Sequence, residues 1–291
     1  MKKLLFQFDT DPYPSVFDTV VGYDGGADHV IGHANVTPET VIPLVEGTIF
    51  TRAPKDKKNT AIFVGGSDLD AGQQVLTAIT SKYFANFRVS VMLDSNGSNT
   101  TAAAGVATIA STMPVAGKNV VILAGTGPVG QRAAVLLSKQ GATVSLTSRS
   151  MSKAKKACSA LSQQYGVELH PVQAQNNQQR SEVIQHAHIV FACGAAGISL
   201  LDEQQWSDLA RLEIVVDANA TPELGIQGVD MMDRGVKRHG KVCWGAIGFG
   251  VLKLALHRAC IARLFEDNTT VLDAEQIYAI AIKMMETNHR N

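Results

Sequence analysis

A short apolar run that breaks directly into closely spaced glycines leaves a chain few ways to fold. Val120-Val121-Ile122-Leu123-Ala124-Gly125-Thr126-Gly127-Pro128-Val129-Gly130 is such a run. It reads as a buried parallel strand handing over, through a turn, to a helix. The glycines fall at Gly-x-Gly-x-x-Gly, the spacing at which a strand–turn–helix holds a dinucleotide pyrophosphate. Gly125 is expected to permit the tight turn, Gly127 to let backbone approach phosphate, and Gly130 to let the helix pack close on the strand. Thr126, Pro128 and Val129 complete the turn, and the unpaired N–H groups of the helix start favour an anion. Such spacing also occurs in ordinary α/β turns, but the flanks strengthen it. Gly117-Lys118 precedes it, a helix is expected over 131–140 with Gly141 as its stop, and a strand over 143–147.

A site for NAD places Asp or Glu about 20 residues beyond the first glycine, on the adenosine ribose. The stretch Thr147-Ser148-Arg149-Ser150-Met151-Ser152-Lys153 contains neither. Its hydroxyls, its fork-shaped guanidinium and its ammonium suit a 2′-phosphate, so Ser148, Arg149 and Lys153 are expected to select NADP. The plainer alternative is a solvated positive face shared with Lys155 and Lys156. Asn219, closing the apolar run 214–219, joins the expected cofactor-binding set.

With 291 residues the chain can bury two cores of ordinary size. Lys plus Arg and Asp plus Glu both number 26, so no net charge draws it to nucleic acid or an anionic membrane, and neither is expected as a partner. A small-molecule substrate is the better expectation. No apolar stretch reaches the roughly 20 residues of a membrane span, and the apolar start is broken by Gln7, Asp9 and Asp11, unlike a signal peptide. A cytoplasmic location is expected. Cys158, Cys193, Cys243 and Cys260 lie far apart without ligand spacing, which predicts buried thiols, no disulfide frame and no metal. Hydrophobic residues make up 45% of the chain, and a homo-oligomer is expected.

The first third alternates strand-like and helix-like pieces: 3–8, a helix near 15–21, 41–51, and a strand over 60–64 ending in Gly65-Gly66. A helix over 70–84, a strand over 88–93 and an Ala-rich helix over 100–111 follow, with a linker at 114–117. Further buried strands are expected at 189–194 and 214–219, then helices at 252–265 and 274–285 that pack back on the first domain. The expected class is α/β, a Rossmann-type doubly wound parallel sheet plus a smaller α/β domain. The expected divisions are 1–115, 116–251 and 252–291.

Asp94-Ser95-Asn96-Gly97-Ser98-Asn99-Thr100-Thr101 follows a strand and opens a helix, where ligands of open α/β sheets bind. One of Asn99 or Thr100 is expected to cap the helix, but eight polar residues exceed what a cap requires. Asp9, Asp11 and Asp18 supply carboxylates after the first strand, each able to accept two parallel hydrogen bonds from a heterocycle or simply to cap. In Gly245-Ala246-Ile247-Gly248-Phe249-Gly250-Val251-Leu252-Lys253 the glycines allow close ligand approach, and Lys253 in an apolar context must snorkel, pair or act. His257 is expected to be structural. No Gly-x-Ser-x-Gly occurs, so hydrolase chemistry has little support.

Phe6 to Asp11, Val21 to Asp28, Phe63 to Gly66, Asp94 to Gly105, Leu123 to Gly130, Leu252-Lys253-Leu254 and His257 to Ala262 together resemble the NADP-dependent methylene-tetrahydromethanopterin dehydrogenases of methylotrophic bacteria. The resemblance runs from near the first residue to the last helix, and the Asp-Ser-Asn-Gly-Ser-Asn-Thr-Thr string is its most specific part. It implies that the smaller domain binds a pterin, with substrate in the cleft between the domains, and that some members also take methylene-tetrahydrofolate. It further implies that Arg149 and its neighbours hold the 2′-phosphate and that Thr101 and Lys253 face the reacting ring. Asp18, Asp94, Asn96 and Asn99 are the expected substrate-binding residues, for a reduced pterin carrying a one-carbon unit. Cys193, Ala218 and Trp244 depart from the family pattern. The Tyr-x-x-x-Lys of related folate enzymes with a cyclohydrolase step is missing from the first domain. Two other readings stay open here: a folate- or shikimate-type NADP dehydrogenase, and a non-catalytic NADP-sensing protein.

Overall fold

The computed structural model describes residues 1–288, so the last three positions of the expected C-terminal segment lie outside the described residues. The chain divides into two compact units, one of Met1–Thr100 with Leu254–Thr287, the other built on Thr101–Lys253.

The first unit alternates β1 (Leu4–Asp9), α1 (Val16–Asp24), β2 (His29–His33), α2 (Val41–Phe50), β3 (Thr60–Gly65), α3 (Leu69–Ser81) and β4 (Ser90–Leu93), then enters α4 (Ser98–Thr112). A later segment adds β12 (Val271–Leu272) and α9 (Ala274–Asn288). The strands run β12-β4-β3-β1-β2, every pair parallel. All residues of β3 and β4 are buried, as near-continuous apolar strands covered on both faces must be. Val41, Val45 and Ile49 of α2 and Val75 and Ile79 of α3 pack with Phe8, Ile62, Val64 and Val91. Each such burial stabilises by about 1.5–3 kcal/mol, so the core fixes where the strands end. Asp9 stands beside Gly65, and Val64 beside Leu93, which brings three strand ends to one edge. Ser15 caps α1 by accepting from Asp18 N–H, and Asp68 caps α3 by accepting from Ala71 N–H.

The second unit continues with β5 (Asn119–Leu123), α5 (Pro128–Lys139), β6 (Thr143–Ser148), α6 (Met151–Tyr165), β7 (Leu169–Gln173), α7 (Asn177–Ile184) and β8 (Ile189–Ala192). It then adds β9 (Ile214–Asp217), β10 (Arg234–Arg238), β11 (Lys241–Trp244) and the first part of α8 (Ala246–Arg263). Its strand order is β10-β11-β9-β8-β5-β6-β7, parallel except for β10. This is the doubly wound parallel sheet expected from the sequence. The chain winds outward from β5 through β6 and β7, then returns to β8 and winds the other way, and ligands of such sheets bind outside the strand ends at that reversal. Five strands escaped the sequence reading. β2 carries two histidines and a glycine and is partly exposed, β7 contains Pro171, and β10 is Arg-Gly-Val-Lys-Arg. These three are edge strands, where polar and ring residues are tolerated because one side needs no pairing. The other two, β11 and β12, are only four and two residues long. No helix among the described residues is long and apolar enough to cross a membrane.

Candidate functional site

The turn after β5 gives each glycine a separate physical reason. A Cβ on Gly130 would stand 2.6 Å from both Cα and O of Gly125, so α5 can lie this close only without a side chain there. A Cβ on Gly125 would stand 2.9 Å from Leu146 Cγ and 3.0 Å from the Ile122 carbonyl. The left-handed residue of the turn is Ala124, at φ 52°, rather than a glycine. Its amide is held by the Thr147 hydroxyl at 3.1 Å, and Gly125 N–H donates to the Thr147 carbonyl at 2.9 Å, so β6 braces the turn. Gly127 differs. Its φ of −77° and ψ of 169° suit any residue, and the nearest atom to a Cβ there would be the Ala124 carbonyl at 4.0 Å. Neither backbone nor packing requires glycine at 127, which leaves space reserved for something outside the chain. Gly127 is also the N-cap of α5, with no side-chain cap and no acid in the first turn, while Pro128 supplies no N–H. The helix start therefore keeps amides available for an anion.

The turn leading into that start borders a cavity of about 590 Å³. Ala124 and Thr126 line it from the turn, Ser148 from the end of β6, Arg149 and Lys153 from beyond it, and Ile198 and Leu200 from beyond β8. Arg149 and Lys153 are exposed, and Ser148 is buried with its hydroxyl accepting from Ser150 N–H at 3.3 Å. Ser150 caps α6, and Gln173 donates to the Arg149 carbonyl at 3.2 Å, fixing the backbone around the guanidinium. None of the described lining residues is a carboxylate. The donor set therefore fits a dinucleotide bearing an additional phosphate. One lining cation, Arg180 of α7, was absent from the sequence reading. Nothing in the polar segment around it announces a ligand.

Asn219 does not line this cavity. It is buried, its amide donates to the Glu223 carbonyl at 2.9 Å, and its oxygen accepts from Thr221 N–H at 3.0 Å, so it organises its own loop. Beside it Asp217 accepts from Asn219 N–H and Ile226 N–H, both at 3.0 Å, and burial pushes its carboxyl up despite those bonds. Cys158 and Cys243 are buried as expected, Cys260 likewise in the first unit, and Cys193 is half-buried.

In the first unit the shared strand edge collects Asp9, Gly65, Gly66 and Asp94. Gly66 sits at φ 109°, and a Cβ there would overlap the Thr10 hydroxyl. Asp9 is buried and accepts from Asp11 N–H and Ser15 N–H, both at 3.0 Å, while Asp11 accepts from Ser67. Asp18 is half-buried with its carboxylate beside Gly65. Of the Asp94–Thr101 string, most polar groups are turned inward. Asp94 is fully buried and accepts from Thr100 N–H at 3.0 Å and Thr100 Oγ1 at 2.6 Å, so Asp94, rather than Asn99 or Thr100, supplies the capping oxygen. Asn99 is fully buried and donates to the Leu93 carbonyl at 2.6 Å and Asp273 at 3.0 Å. Asn96 is exposed at φ 55°, and Thr101 is half-buried.

The second glycine-rich turn is explained largely by packing. A Cβ on Gly245 or Gly248 would run into the carbonyl of Asp230 or Asp233, and Ile247 N–H and Gly248 N–H already donate to the Met231 carbonyl at 2.9 and 3.1 Å. This corrects the expectation that these glycines admit a ligand; only Gly250 has open space around it. Lys253 is half-buried on α8. Thr101 opens the second unit's main segment and Lys253 closes it. His257 is fully buried, stacked on Phe63 at 5.5 Å between ring centres, with Nδ1 3.9 Å from Asp94.

Residues 16–96 match the family model described as methylene-tetrahydromethanopterin dehydrogenase, N-terminal. Over 285 residues the chain is 53% identical to the bifunctional protein MdtA of Methylorubrum extorquens strain AM1, covering 97% of this chain and 99% of that protein. It is 27% identical over 280 residues to the NAD(P)-dependent methylenetetrahydromethanopterin dehydrogenase of the same organism, covering 93% and 94%. Among solved structures, the ligand-free 5-ketofructose reductase of Gluconobacter sp. strain CHM43 aligns with a TM-score of 0.55 over 98% of this chain and 99% of that one. At 13% identity that is a likeness of fold alone.

Proposed function

The chain belongs to the methylene-tetrahydromethanopterin dehydrogenase family, and on that premise we propose that it moves a hydride from methylene-tetrahydromethanopterin to NADP, giving the methenyl pterin and NADPH. The observation that carries the cofactor half is Gly127: space that the chain itself does not need, at an open helix start one residue after Thr126, which lines a cavity together with Arg149 and Lys153. NADP, when bound, accepts the hydride.

The chain's own work is to bind and orient. The carbon that loses hydride lies between two nitrogens that share the positive charge left behind, so no general base is required and positioning dominates. The α5 amides and Gly127 would hold the pyrophosphate, and Arg149, Lys153 and Ser148 the 2′-phosphate. Asp18, whose carboxylate lies beside Gly65 at the shared strand edge, is assigned to the pterin's ring N–H and amino group. Asn96 is the member of the polar string whose exposure suits contact with substrate. Thr101 and Lys253 are assigned to the reacting ring. An ammonium facing the carbon or the nitrogens that share its charge would be repelled, so Lys253 either faces them neutral or acts on a pterin heteroatom outside them.

Absorbance at the NADPH band, with methylene-tetrahydromethanopterin, methylene-tetrahydrofolate and shikimate offered in turn, tests the assignment. NADPH with the methanopterin substrate is expected. Appearance with shikimate alone, or NADP binding without turnover on either pterin, would overturn it. A homo-oligomer is part of the same reading, supported by Val16, Phe17, Val20 and Tyr23, which α1 turns to solvent where isolated surface residues would not be so grouped. Light scattering of the eluted protein is expected to give a multiple of 31.0 kDa.

A further inference from the structure

Arg180 is only 9% exposed although it lies on one of the most polar helices in the chain. Its Nε donates to the Leu200 carbonyl at 2.6 Å and its Nη2 to Asn177 Oδ1 at 2.5 Å. Asn177 Nδ2 in turn donates to Asp202 at 3.3 Å. Two of the five guanidinium N–H groups are thus used to fix the fork, and the rest remain for a ligand. Arg180 lines the same cavity as Arg149 and Lys153. Burial lowers the Arg180 pKa below the usual arginine value, and the positive charge of Arg149 pushes the same way, against a smaller opposing effect of Asp202.

Holding the Leu200 carbonyl takes one neutral donor. A nearly buried guanidinium within electrostatic reach of a second one, with no carboxylate on the cavity wall, is more than that task needs and is costly until an anion arrives. A phosphate monoester, carrying close to two negative charges and three acceptor oxygens, matches two converging forks. We propose that Arg180 is the second arm of the 2′-phosphate clamp, gripping from α7 the group that Arg149 grips from beyond β6, and so determines the choice of NADP over NAD. This rests on the cofactor assignment above.

Calorimetric titration of the intact protein with NADP and, separately, with NAD tests it. Arg180→Gln is expected to weaken NADP by about 10- to 100-fold, the loss of charge-assisted hydrogen bonds, while leaving NAD nearly unchanged. Equal losses for the two ligands would reduce Arg180 to a tether of Leu200, and no loss for NADP would remove it from the site; either result overturns the proposal. Arg149→Gln serves as the reference. If it too leaves the NADP-to-NAD ratio untouched, the cofactor assignment itself fails, which separates the two failures. Should Arg180→Gln not fold, as judged by melting, Arg180→Lys keeps a charge without the fork. It is expected to lose part of the discrimination, and an equal weakening of both ligands would again refute the clamp.

Discussion

Replacing Gly127 and Gly130 separately by alanine should divide ligand binding from folding within four residues of one turn. At Gly127 the alanine methyl would meet nothing nearer than the Ala124 carbonyl at 4.0 Å, and φ −77° with ψ 169° is open to it. A compatible Gly→Ala change gains about 0.4–1 kcal/mol through the unfolded chain. Loss of glycine from an N-cap offsets a comparable amount. The net is within about 1 kcal/mol, or roughly 2–4 °C in melting temperature. At Gly130 the methyl would sit 2.6 Å from backbone atoms of Gly125, which cannot rotate away. Overpacking of that kind costs about 1–3 kcal/mol, or roughly 2–12 °C at about 2–4 °C per kcal/mol. Differential scanning calorimetry gives the stabilities, and titration with NADP the affinities. Gly127→Ala is expected to melt like the parent but bind NADP at least about tenfold more weakly, a difference of about 1.4 kcal/mol, because the methyl occupies the phosphate approach. Parental affinity in Gly127→Ala, or a melting temperature as low as that of Gly130→Ala, would refute the reasoning.

Lys253→Ala should lower kcat while leaving the pterin KM largely intact if the side chain acts on the reacting ring; a change in KM alone would return it to substrate binding. Asp94→Asn should cost about 1–3 kcal/mol by weakening the bonds from Thr100, with the KM of the folded variant unchanged; a raised KM at parental stability would restore Asp94 to the substrate site. Asp267 offers a pH test. Burial pushes its carboxyl up, but hydrogen bonds from Thr269, Thr270 and Arg263 outweigh that and hold it below the ordinary carboxylate range. Its folded pKa lies below the unfolded one, so its stabilisation is present above about pH 4 and is lost as pH falls further. The melting deficit of Asp267→Asn should therefore shrink in acid, and a deficit independent of pH would show that the turn does not depend on the charge.

The parts legible in the sequence were those whose physics is local. A glycine forced by its own turn, an apolar strand covered on both faces, and a helix stop such as Gly141 announce themselves within a few residues. Partners distant along the chain do not. Asn99 reads as surplus polarity until Asp273, 174 residues away, comes to meet it. Arg180 sits in an undistinguished polar segment, and only the return of the chain at Leu200 shows where its guanidinium lies. Gly245 and Gly248 look like Gly127 in sequence, but the loop at 230–233 has taken the space beside them. Whether a glycine makes room for a ligand or for backbone is decided by what packs there.

Both borders between the two units fall inside helices, between Thr100 and Thr101 in α4 and between Lys253 and Leu254 in α8. A gene rearrangement that exchanged either half would have to sever two helices in mid-turn, and every severed end would leave up to four N–H or four C=O groups without intrahelical partners. Swapping either half as a cassette therefore carries the cost of four exposed helix ends.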